Sequence, residues 1–220
     1  MADARSAWLP PTADPQRRSL LRWALLPSMT LHPDRHADLP AGAAAWLARL
    51  PPGSAAWRRL HRHWSAQLVR TLAPLEESAA PDDSVPSLAL LSPEAWARLQ
   101  RVAGASLTAG HLRRVIAREP VALLRDQLGE AGYAWALAQP DECFQPPPLP
   151  AAELLPACER RGAALLWRAF DAVPPAWAQR LRLRLAPAAA QDAEAAPVDR
   201  HTPEQALQTL ALLLHRLNPA

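Results

Sequence analysis

A chain of 220 residues can bury a core of its own and is expected to form one domain or at most two. Half of it is apolar, and proline plus glycine account for 32 residues, below the roughly 25–30% that marks a low-complexity chain. Two cysteines, Cys143 and Cys158, are too few for a disulfide framework and lack metal-type spacing, so both read as free thiols. The formal net charge is +3, and all 24 basic residues are arginine. The codon usage of a GC-rich genome produces that bias without functional demand; the alternative is selection for phosphate or nucleic-acid contact. Charge is spread unevenly, +6 over residues 1–73, −4 over 74–91, +2 over 92–139, +1 over 140–186 and −2 over 187–220. The first residues lack a basic stretch followed by an apolar one, and no segment nears the roughly 18 consecutive apolar residues of a membrane span. A cytoplasmic location is expected.

Residues 1–16 are proline-rich and read as irregular, followed by a helix over Arg17–Leu26 that Pro27 stops. In LHPDRHADLP, His32 and His36 stand four apart, but Pro33 keeps His32 off a shared helix face and no third ligand is near. The segment reads as a turn with Leu31 and Leu39 facing inward. Ala43–Leu50 predicts a short helix carrying Trp46, broken by Pro51-Pro52-Gly53 before Ser54 caps a long one. There Trp57, Leu60, Trp64 and Leu68 form the inner face, and Arg58, Arg59, Arg62, His63 and Arg70 an exposed basic stripe. The stripe reads either as a contact for an acidic partner, phosphate or headgroup, or as a solvated helix face. Residues 74–91 are acidic and proline-broken and read as a surface loop.

Ser92-Pro93 starts a helix, with Ala95, Trp96, Leu99, Val102 and Ala103 as its apolar side and Gly104 as its end. Thr108 is expected to cap a second helix burying Leu112, Val115 and Ile116, until Pro120 interrupts it. A third begins there, with Val121, Leu124, Leu128, Ala131 and Trp135 sharing a face and Gly129 and Gly132 marking a bend. Residues 140–150 read as a connector. From Glu153 to Ala172, Leu154, Ala157, Cys158, Leu165 and Phe170 are loosely helical, and Pro174-Pro175 begins a new helix. Leu181, Leu183 and Leu185 alternate with Arg182 and Arg184 as in a strand, but a strand without a partner strands its backbone groups, so helix is preferred. After an alanine-rich linker over 187–201, Thr202-Pro203-Glu204-Gln205 is a capping box opening a last helix with a Leu207, Leu210, Leu214, Leu217 stripe. The fold class is therefore all-α, with a helical domain over 1–186 and a linker and amphipathic helix over 187–220.

No phosphate-cradling glycine loop, nucleophile elbow, zinc spacing or paired carboxylates on one helix face occurs, so neither an enzyme nor a cofactor or metal protein is expected. Two surfaces are candidates for partner binding. They are the stripe Arg58, Arg59, Arg62, Arg70 and the face Leu207, Leu210, Leu214, Leu217.

Three blocks carry a family likeness: LHP with DLP at Leu31 to Pro40, LSPEAWARLQRVAGASLTAGHLRRVIAREPVALLRDQLGE at Leu91 to Glu130, and CERRGAALLWRAF with PPAWAQRLRLRLAP at Cys158 to Pro187. In order and spacing they resemble the SctK family of type III secretion systems, the YscK- and PscK-type accessory proteins of the sorting platform. The resemblance implies a mostly helical, non-enzymatic cytosolic adaptor, peripheral at the inner membrane when assembled. It would link the SctD-type inner-membrane ring protein to SctQ-type pods and indirectly support the SctL and SctN ATPase complex. It transfers no site residue by identity, and the N-terminus, the 74–91 connector and the 187–201 linker fall outside it. A competing reading of Ser92–Arg118 is a helix-turn-helix nucleic-acid binder, with Arg113, Arg114 and Arg118 on its recognition helix.

Overall fold

The computed structural model describes residues 14–39, 42–75, 84–140, 149–195 and 201–217. It is all-α, and among the described residues there is no strand. In chain order the helices are α1 (Pro15–Leu25), α2 (Ala43–Arg49), α3 (Ala55–Thr71), α4 (Ser84–Leu90), α5 (Pro93–Ser106), α6 (Ala109–Leu112), α7 (Arg118–Leu128), α8 (Glu130–Ala138), α9 (Ala151–Ala169), α10 (Pro175–Arg182), α11 (Ala189–Ala195) and α12 (Pro203–Leu217). Short 3-10 helices lie at Pro27–Met29, Pro33–Asp38 and Phe170–Ala172. The chain divides into two units, one of residues 1–90 with 174–184, the other of 91–173 with 185–220.

The first unit holds α1 to α4 and α10. Asp14 Oδ1 accepts the Gln16 N–H at 2.9 Å to open α1, and Ser54 Oγ accepts the Trp57 N–H at 3.2 Å to open α3, each removing one orphan donor of a first turn. Leu31, Leu39, Ala43 and Trp64 form a buried cluster with Leu47, Leu60, Leu68 and Leu183 packed against it. Trp23 of α1 stacks on Trp177 of α10 with ring centroids 5.3 Å apart. The acidic segment 74–91 is not a loop throughout. Ser84–Leu90 is a helix that buries Val85, Leu88 and Ala89, and Pro86 is tolerated because it sits in the first turn, where its missing N–H costs no bond.

Helix also prevails at Arg180–Leu185, where α10 runs to Arg182 and a turn follows. The arginines there do not alternate into solvent. Arg180 and Arg184 are each 4% exposed. Arg180 donates from Nε to the Ala24 carbonyl at 3.2 Å, and from one terminal nitrogen to Ala73 at 2.9 Å and Ala176 at 2.7 Å. Arg184 donates to the Leu88 and Ala89 carbonyls at 3.0 and 3.2 Å, the negative end of α4. Burial lowers the Arg184 pKa to about 10, which leaves it charged at neutral pH.

In the second unit α5 and α9 cross closely, and α7, α11, α12 and the 170–172 turn pack on α9 as well. Ser92 caps α5 as expected, its Oγ accepting the Ala95 N–H at 3.1 Å, and Trp96, Leu99, Val102 and Ala103 are buried. Gly104 does not end the helix, which continues to Ser106. The glycine is required by the crossing, because a Cβ there would lie 1.8 Å from the Cys158 carbonyl oxygen. Gly162 is its counterpart on α9, where a Cβ would lie 1.8 Å from the Gln100 oxygen. Trp96 stacks on Phe170 at 6.3 Å, extending the same contact.

The expected helix over Thr108–Arg118 is reduced to the single turn of α6. Thr108 makes no cap; its hydroxyl bonds back to the Gly104 and Ala105 carbonyls at 3.1 Å, Val115 is half-buried and Ile116 is 92% exposed. α7 begins at Arg118 with Pro120 inside its first turn, and Gly129 at φ +73° makes the bend into α8. Ala131 faces solvent, and Gly132, Tyr133 and Ala136 are the buried residues of α8. Of the 187–201 stretch, residues 196–200 lie outside the described residues, and the part before them is not simply a linker, since α11 packs on α9 and Ala189 is buried. The Thr202/Gln205 capping box forms reciprocally, at 2.9 and 3.3 Å. No described helix is long and apolar enough to cross a membrane.

Gly104→Ala is predicted to lower the stability of the second unit by about 3 kcal/mol or more, since backbone on the facing helix cannot step aside as a side chain would. A urea melt followed by helical circular dichroism checks this; Gly53→Ala, in open space, provides a strain-only comparison because its φ is +77°.

Candidate functional site

The long helix α3 is two-sided. Its inward side carries His61, Trp64 and Ser65, all buried, with Leu60 and Leu68 beside them. Arg58, Arg59, Arg62 and Arg70 are all exposed on the outward side, and among the described residues none carries an ion pair or a side-chain hydrogen bond. From Leu39 to Leu75 the sequence contains five arginines and no Asp or Glu, so nothing nearby in the chain neutralises this face. Arg58 moreover sits in the first turn of α3, where the positive end of the helix dipole disfavours a cation by about 0.3–1 kcal/mol.

Beside these arginines is a groove of about 470 Å³ lined by Trp46 and Leu50 from the end of α2 and by Ala56, Arg59, Leu60 and His63 of α3. Trp46 is 60% exposed. The basic stripe was readable from the sequence; the groove was not, because Trp46 is a lone aromatic on a seven-residue helix and only its placement against α3 makes a wall. The available signal was the acid-free run around it.

The second candidate surface is corrected. Leu210 and Leu214 of α12 are buried, at 0% and 8% exposure, and Leu207 and Leu217 are half-buried. The helix packs on α5, α8 and α9. Leu213 joins the buried set, and Leu212 is the exposed leucine. Burying leucines of this kind stabilises by roughly 1.5–3 kcal/mol each, so the stripe is spent on the fold.

His61 is the polar centre of the first unit. The Ser28 N–H donates to Ser65 Oγ at 3.2 Å, the Ser28 hydroxyl donates to the His61 carbonyl at 3.0 Å, and Ser28 Oγ lies 2.9 Å from His61 Nδ1 and 2.8 Å from Ser65 Oγ. With the Ser28 proton on the carbonyl, Nδ1 is the donor to Ser28 Oγ, so the tautomer of the ring sets the direction of that bond. Trp57 and Trp64 flank the imidazole at 4.1 and 5.8 Å between centroids. Burial lowers the His61 pKa, and the positive charge of a protonated His36 adds to the effect. His32 does not pair with His36; its Nδ1 accepts the Asp34 N–H at 3.2 Å. Among the described residues no group of three His, Cys, Asp or Glu is placed to hold a metal.

For the helix-turn-helix reading, the structure provides no recognition helix over Thr108–Arg118, and Arg113 is tied to the Leu137 and Gln139 carbonyls. The chain is thus an all-α protein of two units whose first unit presents a basic helix face beside an apolar groove. Compared with protein-family models, curated proteins and solved structures, the chain matches none of them.

Because the folded state disfavours the proton on His61, the unfolded chain binds more protons and stability rises with pH. The contribution is complete above about pH 6.5, the ordinary histidine value, and is lost as pH falls through the depressed one. Thermal melts of the wild type are expected to show stability falling below pH 6.5 by up to about 1.4 kcal/mol per pH unit for each such group, with a shallower slope in His61→Phe.

Proposed function

We propose that this protein is a non-enzymatic adaptor of a type III secretion sorting platform, joining SctQ-type pod proteins to the cytoplasmic domain of an SctD-type inner-membrane ring protein. It would act at the cytoplasmic face of the inner membrane, supporting the SctL and SctN ATPase complex indirectly. The observation that carries the reading is the likeness of three sequence blocks, in order and spacing, to the SctK family. Those blocks supply the Leu31 to Leu39 turn, the run α5 to α7, and most of α9 with all of α10. A chain built as an adaptor needs helical units with at least one surface not consumed by packing, and the arginine face of α3 is such a surface.

The test is a pull-down of the tagged chain from its host in moderate salt with nuclease present, followed by identification of co-eluting proteins. Recovery of ring, pod and ATPase components supports the adaptor; recovery of none, with secretion intact after deletion of the gene, ends it. In the Arg58→Glu/Arg62→Glu variant, capture of the pod or ring component is expected to fall about tenfold. Its folding stability is expected to hold or to rise by about 0.3–1 kcal/mol, because an acid replaces a cation in the first turn of α3.

A further inference from the structure

We infer that the groove between α2 and α3 is a docking site for an acidic segment of another protein that inserts one or two bulky apolar side chains beside Trp46. The inference stands on the groove itself and does not depend on the secretion role. Its lining is mostly apolar, with Leu50, Ala56, Leu60 and the exposed indole of Trp46 beside His63. Arg59 also lines it, with Arg58 and Arg62 exposed on the same helix. Aromatic anchors flanked by arginine are the composition from which binding hot spots are built.

Charge complementarity fixes the class of occupant. A stretch of 37 residues, Leu39 to Leu75, contributes five arginines and no acid, so a neutral or basic peptide gains nothing from this rim and an acidic one gains at each contact. The recessed shape decides between protein and other anions. A nucleic-acid backbone would meet the arginines but leave the apolar lining empty, and a membrane surface needs an apolar face that protrudes into the lipid rather than one sunk between helices. The chain's own Glu76 to Asp83 stretch has no bulky apolar side chain, whereas Asp141-Glu142-Cys143-Phe144 joins acids to a phenyl ring, so a second copy is one of the outcomes that the test separates.

The probe is a short fluorescent helical peptide of glutamate and leucine, its leucines on one face, titrated by anisotropy into the intact chain. A twin with lysine for every glutamate, duplex DNA and anionic lipid vesicles are run in parallel. Saturable, salt-sensitive binding of the acidic peptide alone is expected, weakened about tenfold or more by Trp46→Ala and by Arg59→Glu and unchanged by Leu212→Ala on α12. Trp46 and Arg59 are exposed enough for both variants to fold, which circular dichroism verifies. Any of four results overturns the inference: no binding tighter than about 1 mM, binding equal in Trp46→Ala and Arg59→Glu, preference for DNA or vesicles, or self-association that these two substitutions abolish. Because the peptide is not a platform component, this failure and a failed pull-down are read separately.

Discussion

The reciprocal glycine contact between α5 and α9 is the constraint on which the second unit rests. At Gly104 and Gly162 each helix lies so near the other's backbone that neither position has room for a single added carbon. Close approach of this kind removes side-chain entropy cost at the contact and brings long stretches of both helices within dispersion range. The consequence spreads outward. Val102 and Leu99 are buried on one side of the crossing, Cys158, Leu165 and Leu166 on the other, and α12 then covers the pair with Leu210 and Leu213. Even Cys158, which as a lone thiol invites a chemical role, is explained by this geometry. It is fully buried beside Thr108, and burial pushes its thiol pKa up, away from the reactive thiolate.

The first unit is held by a different device. Its buried arginines are answered by backbone carbonyls, and its buried serines and histidine by one another and by backbone. Arg180 reaches carbonyls of α1, α10 and the residues after α3, and Arg184 reaches the last carbonyls of α4. A guanidinium carries five donors in a fixed fork, so one side chain can satisfy several helix ends at once. The carbonyl ends of helices carry partial negative charge, which suits a buried guanidinium. The Ser28, His61 and Ser65 cluster does the same for the 27–29 turn against α3. Such groups fix one arrangement of short helices that apolar contacts alone would hold less specifically.

Local chemistry was legible in the sequence where it acts locally. Ser54, Ser92 and the Thr202/Gln205 box cap the helices they were expected to cap, because capping depends on three or four consecutive residues. Residues whose meaning depends on a distant partner were misread. Gly104 looks like a terminator, since a glycine in a helix costs about 1 kcal/mol unless something repays it, and what repays it is α9, some 50 residues further on. Pro86 looks like a breaker but occupies a first turn. The Leu207 to Leu217 stripe announces a helix that must bury one face, yet nothing in its period says whether the cover is the same chain or another one.

The arginines show where the limit lies. By composition they are one population, every basic residue of the chain, and a codon bias accounts for their number. By placement they differ. Arg180 and Arg184 are buried on carbonyls and belong to the fold, whereas Arg58, Arg59, Arg62 and Arg70 of α3 face solvent without an ion-pair partner among the described residues. Codon bias explains why a position holds arginine rather than lysine. It does not explain why a 37-residue run lacks every acid, or why a cation sits at the positive end of α3 against its dipole, when an acid there would stabilise the helix. A local preference overridden at an exposed position, next to an apolar groove with an indole at its edge, is the pattern of a surface shaped by something other than the stability of the fold.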